Sequence, residues 1–193
     1  MAQEKTVNGV DVEKLQDGMA TLKQQPDLAK FRFRAHNQWT KGTQCTTTIN
    51  DFYGLGQEMA HKKSFTLTAD EPEVLVGTDE APNATEALLY ALTSCVLASG
   101  IYHAALRGVK LDSLEVHAEG ELDVRGVLGL ANDVRNGFQS IKLTFKISGD
   151  APEAELLRIC EIAQERSPVF DMVTHGVPVT ADVQVAAPAG AGK

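Results

Sequence analysis

Hydrophobic positions along this chain change period several times, and each change marks an element. Val12, Leu15, Met19 and Leu22 recur at helical spacing over Asp11 to Gln25, with Pro26 as the stop, which predicts a short amphipathic helix near the N-terminus. From Phe31 to Trp39 the period drops to two. Phe31 and Phe33 fall on one face and Arg32, Arg34, His36 and Gln38 on the other, the pattern of a half-buried strand. Gln44 to Asn50, rich in threonine, predicts its hairpin partner across the Lys41-Gly42 turn, and Ser64 to Thr68 a further strand of the same sheet.

A long helix is predicted next. Asn83 is a good N-cap, Glu86 three residues on completes a capping-box spacing, and the apolar pattern runs to Arg107, where Gly108 stops it. Leu88, Ala91, Leu92, Cys95, Ala98, Ser99 and Tyr102 lie along one side and Leu89, Val96 and His103 form a second row. Apolar residues thus cover most of the circumference, which predicts a central, buried helix. Leu111 to Val124 and Phe138 to Ser148 predict an antiparallel pair joined by a glycine-rich connection. Ala154 to Gln164 predicts an amphipathic helix broken by Pro168, Val169 to Val173 a short turn, and Val177 to Val185 a closing strand. Strands, a central helix, strands, a helix and a strand make an α+β domain without βαβ rhythm.

Composition narrows the function classes. The 193 residues with 43% hydrophobic content are enough for one sizeable core, and 26 acidic against 18 basic side chains give −8, which disfavours nucleic acid or an anionic membrane as partner. No apolar run of about 18 residues stands out, and Met1 to Val10 has no secretory-signal stretch, so a cytoplasmic location is expected. Cys45, Cys95 and Cys160 are odd in number, which fits free thiols in a reducing compartment better than a disulfide framework. Without CxxC, HExxH, a His/Cys cluster or a phosphate loop, neither metal nor cofactor is expected.

The run from Asp79 through Ala81-Pro82-Asn83-Ala84-Thr85-Glu86 and Leu88-Leu89 to Ala91-Leu92-Thr93-Ser94-Cys95 resembles the central helix of OsmC/Ohr-type proteins. Arg107-Gly108-Val109, Gly126-Val127-Leu128-Gly129 and Ser167-Pro168-Val169 follow in the family's order, and the likeness spans roughly Phe31 to Val185. It divides the chain into an N-terminal helical extension (1–29), an OsmC-like domain (30–186) and a disordered tail (187–193). The resemblance implies an α+β fold of antiparallel sheets around a long central helix, built as an intertwined homodimer with thiol sites at the interface. It also implies reduction of organic hydroperoxides or hydrogen peroxide by a peroxidatic Cys on that helix, a resolving Cys before Pro-Val, and an Arg and a Glu that help ionise and orient the first thiol.

Cys95 matches the first position, and Ser167, 72 residues on, stands where the second thiol belongs and cannot form a disulfide. Cys95 lies 12 residues past Asn83, about 18 Å along a helix, so the helix dipole does not reach it and a cation must lower its pKa. Arg34 or Arg32 on the first strand, or Arg166 beside Ser167, are candidates; a solvated strand face is the other reading of the first two. Glu86 is a candidate for the family Glu, but family peroxidases tend to carry it one position earlier, at Thr85 here, and capping is the alternative role. With no thiol at 167, a sulfenic acid on Cys95 would condense with an external thiol, or with Cys160 or Cys45. His103, eight residues past Cys95, is about 12 Å away and out of reach within one chain. Two functions stay open: a one-Cys hydroperoxide reductase using an external thiol reductant, and a non-peroxidase relative binding a small molecule at the dimer interface. Inert packing of Cys95, with no site at all, is a third.

Overall fold

The computed structural model describes residues 6–186, and the tail expected at 187–193 lies outside the described residues. The chain opens with a two-residue hairpin, β1 (Thr6–Val7) and β2 (Val10–Asp11), turned by left-handed Asn8 and Gly9. Sequence periodicity gave no sign of it. Helix α1 (Val12–Gln24) follows where expected, with the Asp11 side chain accepting from the Lys14 amide at 3.0 Å as its N-cap. Val7 and Val12 bury with Ala105, so this segment is pinned to the far end of the central helix. Asn8 adds a two-way bond there, donating to the Val109 carbonyl and accepting from the Leu111 amide, each at 2.9 Å.

Four strands then form an arm: β3 (Arg32–Phe33), β4 (His36–Lys41), β5 (Gln44–Gly54) and β6 (Gln57–Ala69). The single strand expected over Phe31–Trp39 is split, because β5 pairs with β3 and then with β4 along its length. Phe33 faces Phe52 and His36 faces Thr48, so three steps on one side span four on the other, leaving one extra residue on β5. The expected alternation of faces holds. One face carries Phe31, Phe33, Phe52, His61 and Phe65 in successive ring contacts with centroids 5.1–6.3 Å apart. The opposite face carries Arg32 over the Tyr53 ring, Arg34, Asp51 and Glu58. The aromatic side is open: Phe33 is 74% and Trp39 76% exposed.

Asp70, at the end of β6, joins the arm to the rest. It is 2% exposed, and its carboxylate accepts from the Thr43 and Thr78 hydroxyls, the Gln44 side-chain amide and the backbone amides of Glu71, Thr78 and Glu80. These donors, the two hydroxyls first, hold its pKa far below the usual carboxylate range. The stretch that follows is a 3₁₀ turn over Glu73–Leu75 that leaves through Val76 at φ +67°. Val74 and Val76 are exposed.

The central helix α2 (Ala84–Leu106) begins in the predicted capping box: the Asn83 side chain accepts from the Glu86 amide at 2.8 Å and the Glu86 carboxylate accepts from the Asn83 amide at 2.9 Å. Strand β7 (Leu111–Glu121) and, after the short helix α3 (Val124–Val127), strand β8 (Ser140–Gly149) pair antiparallel as expected. Helix α4 (Glu153–Glu165) and helix α5 (Pro168–His175) complete the body. Leu92, Val96 and Ala163 bury with Ile141, Leu143 and Phe145 of β8 and with Val169 and Phe170 of α5. Gly100 permits the close approach of α4, since a Cβ there would sit 3.3 Å from the Ala163 Cβ and 3.2 Å from a Leu114 methyl.

Three expectations are corrected. Among the described residues the strand expected over Val177–Val185 has no ladder partner, and the stretch is exposed. Helix α2 is not buried all round: Leu92, Val96, Ser99, Gly100, Ala104 and Ala105 are covered, but Leu88, Tyr90 and Tyr102 are not. Nor does the sequence lack a long apolar run, for α2 is by length and hydropathy apolar enough to span a bilayer, with 22% of that window buried. A helix apolar round its circumference yet covered along one side has a second cover to find, in protein or in lipid.

Candidate thiol site

Cys95 sits at the edge of the covered stripe of α2. At about 100° per residue, Leu92 and Ser99 lie on one side of it and Ala91 and Ala98 on the other; the first two are buried, Cys95 and Ala91 are half-buried, and Ala98 is exposed. The thiol is therefore neither sealed in the core nor fully in solvent. Because Val169 and Phe170 pack against Leu92 and Val96, the start of α5 lies over the turn of α2 that bears this cysteine.

Ser167 begins α5 and is 1% exposed. Its hydroxyl oxygen accepts from the Phe170 amide at 3.2 Å, so it acts as the N-cap, with Pro168 in the first turn. Glu86 is committed to the capping box, the structural one of its two roles. Thr85 joins that cap by donating to the Asn83 side-chain oxygen at 2.8 Å. Neither supplies a carboxylate beside Cys95.

Arg34 does not face Cys95 in this chain. Its guanidinium is doubly bonded to Glu58, each contact at 2.8 Å, and bonded to Asp51 at 2.7 Å, on the arm's polar face and opposite the aromatic one. Those hydrogen bonds, Glu58 first, push its pKa still higher and depress that of Glu58. Its position is thus the solvated strand face, and Arg32 shares it. Beside α2 the structure places other cations. Burial first, then the charges of Arg166 and Arg107, lower the pKa of His103. Arg107 is itself engaged by Glu155, with Nε to Oε1 at 2.5 Å.

Cys160 is buried in α4, and desolvation raises its pKa, which suits an inert packing thiol. Cys45 is half-buried on the arm, where the Asn37 side-chain amide lies 3.3 Å from its sulfur. A small cavity of about 130 Å³ adjoins it, lined by residues including Gln44, Asp70 and Glu80. Among the described residues no three His, Cys, Asp or Glu side chains converge as a metal ion would require. Nothing in the sequence singles out the Asp70 node, since a lone acid after a strand carries no pattern that distinguishes it from a surface charge.

A family model described as OsmC-like protein matches residues 77–182, which include both Cys95 and Ser167. Three solved structures are similar in fold. An OsmC-like protein from Mycoplasma pneumoniae is 17% identical with a TM-score of 0.57, over 75% of this chain and 88% of that one. An organic hydroperoxide resistance protein OsmC from Legionella pneumophila is 15% identical with a TM-score of 0.52, over 75% and 91%. An OsmC-like protein of unknown function from Vibrio cholerae is 14% identical with a TM-score of 0.54, over 72% and 92%. No curated protein matches the sequence.

Proposed function

Because the chain belongs to the OsmC-like family, we propose that it is a homodimeric hydroperoxide reductase that works through Cys95 alone and is restored by an external thiol. The observation that supports this reading is the packing of Val169 and Phe170, just after Ser167, against the buried cluster of Leu92, Val96 and Ala163, on the same helix as half-buried Cys95. The Legionella pneumophila protein of similar fold, named for organic hydroperoxide resistance, supports the substrate class.

In this scheme the Cys95 thiolate attacks the outer peroxide oxygen and the O–O bond breaks. The alcohol or water leaves after taking up a proton, and the sulfur is left as a sulfenic acid. An external thiol condenses with it, releasing water and forming a mixed disulfide; a second thiol then displaces Cys95. Cys160 is too buried to replace the missing partner thiol. Arg166, next to Ser167 and close enough to His103 to depress its pKa, is the cation we assign to favour the thiolate. The bare sides of α2 and of the arm are covered by the second copy, and not by lipid.

A second reading, a relative that binds a small apolar molecule at the same interface without turning it over, is favoured by one observation: Ser167 is buried and already spends its hydroxyl oxygen on a helix cap. Titration of the reduced protein with cumene hydroperoxide or hydrogen peroxide, read by mass, separates the two. Rapid, selective oxidation of Cys95 is the expected result. Slow oxidation spread over all three cysteines would leave only the binding reading.

A further inference from the structure

Beside Asp70 the fold keeps a buried charge without a counter-charge. Asp70 is 2% exposed, and its six hydrogen-bond donors are all neutral: the Thr43 and Thr78 hydroxyls, the Gln44 side-chain amide and the backbone amides of Glu71, Thr78 and Glu80. Among the described residues no ion pair includes it or the neighbouring Glu80. Donors of this kind hold a carboxylate ionised but leave its field uncancelled, whereas buried charges are ordinarily paired.

A cavity of about 130 Å³ opens against this carboxylate, with Asp70 at its inner end and the exposed Thr40, Thr68 and Glu80 at its mouth. Its walls offer acceptors. The Gln44 side-chain nitrogen is spent on Asp70 at 3.4 Å, Thr78 at 2.7 Å and Glu80 at 2.9 Å, which leaves the carbonyl oxygen of the same amide uncommitted. Glu80 accepts that bond on Oε2 and keeps Oε1 free. Among the described residues the hydroxyls of Thr40, Thr46 and Thr68 have no hydrogen-bond partner. Thr46 and Thr68 are direct partners across β5 and β6, and Gln44, two residues before Thr46, shares their face of the sheet. Cys45 lies between them and turns its side chain toward the other face, where the Asn37 amide reaches its sulfur at 3.3 Å, which sets the cavity apart from the thiol site at Cys95.

Two carboxylates and a ring of uncharged acceptors select a cation that donates hydrogen bonds. A guanidinium pairs best with a carboxylate that has both oxygens open, which neither Asp70 nor Glu80 offers. An ammonium instead presents three N–H donors on a compact head and can spread them over separate acceptors. The cavity is several times larger than one water needs, so a short carbon stem fits behind that head, along Ala81 and the threonine methyls. The net charge of −8 adds long-range attraction for such a cation. We infer that this cavity is a binding site for a primary alkylamine, whose ammonium group is held by Glu80, the Gln44 carbonyl and the threonine hydroxyls in the field of Asp70. The site is independent of the peroxide chemistry and stands or falls without it.

The test is a titration of the full chain with n-butylammonium chloride at constant ionic strength, followed by amide NMR. The backbone amides of Glu71, Thr78 and Glu80, which donate to Asp70, should shift and saturate. Tetramethylammonium, equal in charge but without an N–H, and potassium chloride should leave them in place. Glu80→Gln keeps an acceptor for Gln44 and removes the charge, and it should weaken butylammonium binding about tenfold, as should Thr46→Val combined with Thr68→Val. Amide signals away from the cavity report that each variant is folded. Shifts that never saturate, or that tetramethylammonium reproduces, are screening alone and overturn the site. Saturation by potassium chloride makes it a metal-ion site and overturns the ammonium assignment. Undiminished affinity in Glu80→Gln places the amine elsewhere and overturns it as well.

Discussion

Restoring a thiol at the start of α5 tests the shared neighbourhood of Cys95 and residue 167 most directly. Ser167→Cys replaces the hydroxyl that caps α5 by accepting from the Phe170 amide at 3.2 Å. Loss of a Ser cap costs about 1 kcal/mol. The larger sulfur must also enter a site that is 1% exposed, so the total reaches about 1–2 kcal/mol. For a chain of this length that lowers Tm by about 2–4 °C per kcal/mol, which leaves a folded protein to assay. After one equivalent of hydroperoxide, the variant should form a disulfide between Cys95 and the introduced thiol, seen as a linked peptide on non-reducing digestion. Such a bond needs Cα atoms about 4.4–6.8 Å apart, so its formation reports directly on whether the two positions meet. If Cys95 instead passes on to sulfinic acid while the new thiol stays reduced, the two positions do not share a site.

Four further outcomes are expected. Arg166→Ala should slow peroxide oxidation of Cys95, followed by mass, while Arg34→Ala should leave that rate unchanged. Native protein treated with an alkylating reagent at pH 8 should react last at Cys160, whose raised pKa and burial withhold the thiolate; early labelling there would contradict the placement of α4. Ile159→Ala, at a position with no exposed surface against Ala104 and Val109, should cost about 2–5 kcal/mol in urea unfolding. On acidification, stability should fall first below about pH 6.5, where the unfolded chain protonates His103 but the folded one resists. It should fall again below about pH 4 as the depressed carboxylates of Asp70, Glu58 and Glu155, and of Asp123 at about 2, take up protons; a flat profile from pH 7 to 3 would refute those assignments.

What could be read from sequence was what rests on local rules. The capping box at Asn83 and Glu86, the stop at Gly108, the helix ending at Pro168 and the two faces of the Phe31–Trp39 segment are each fixed by residues within one or two turns, and the structure keeps them. The failures are those of pairing. Val177–Val185 has the right period for a strand, but period says nothing of which edge receives it, and this chain offers none that it uses. Likewise the all-round apolarity of α2 predicts burial without stating how much of the cover the same chain provides. At the site, a motif could locate Cys95 and Ser167, yet the side on which Arg34 lies depended on strand parity and on Glu58, 24 residues away.

The arm is built from strands that follow one another directly, so its ladders close over short stretches of chain and can form while the polypeptide is still leaving the ribosome. Its row of phenylalanine rings is then finished before α2 has been made. For that interval the nascent chain displays an ordered apolar surface of the kind that makes incomplete chains prone to aggregate.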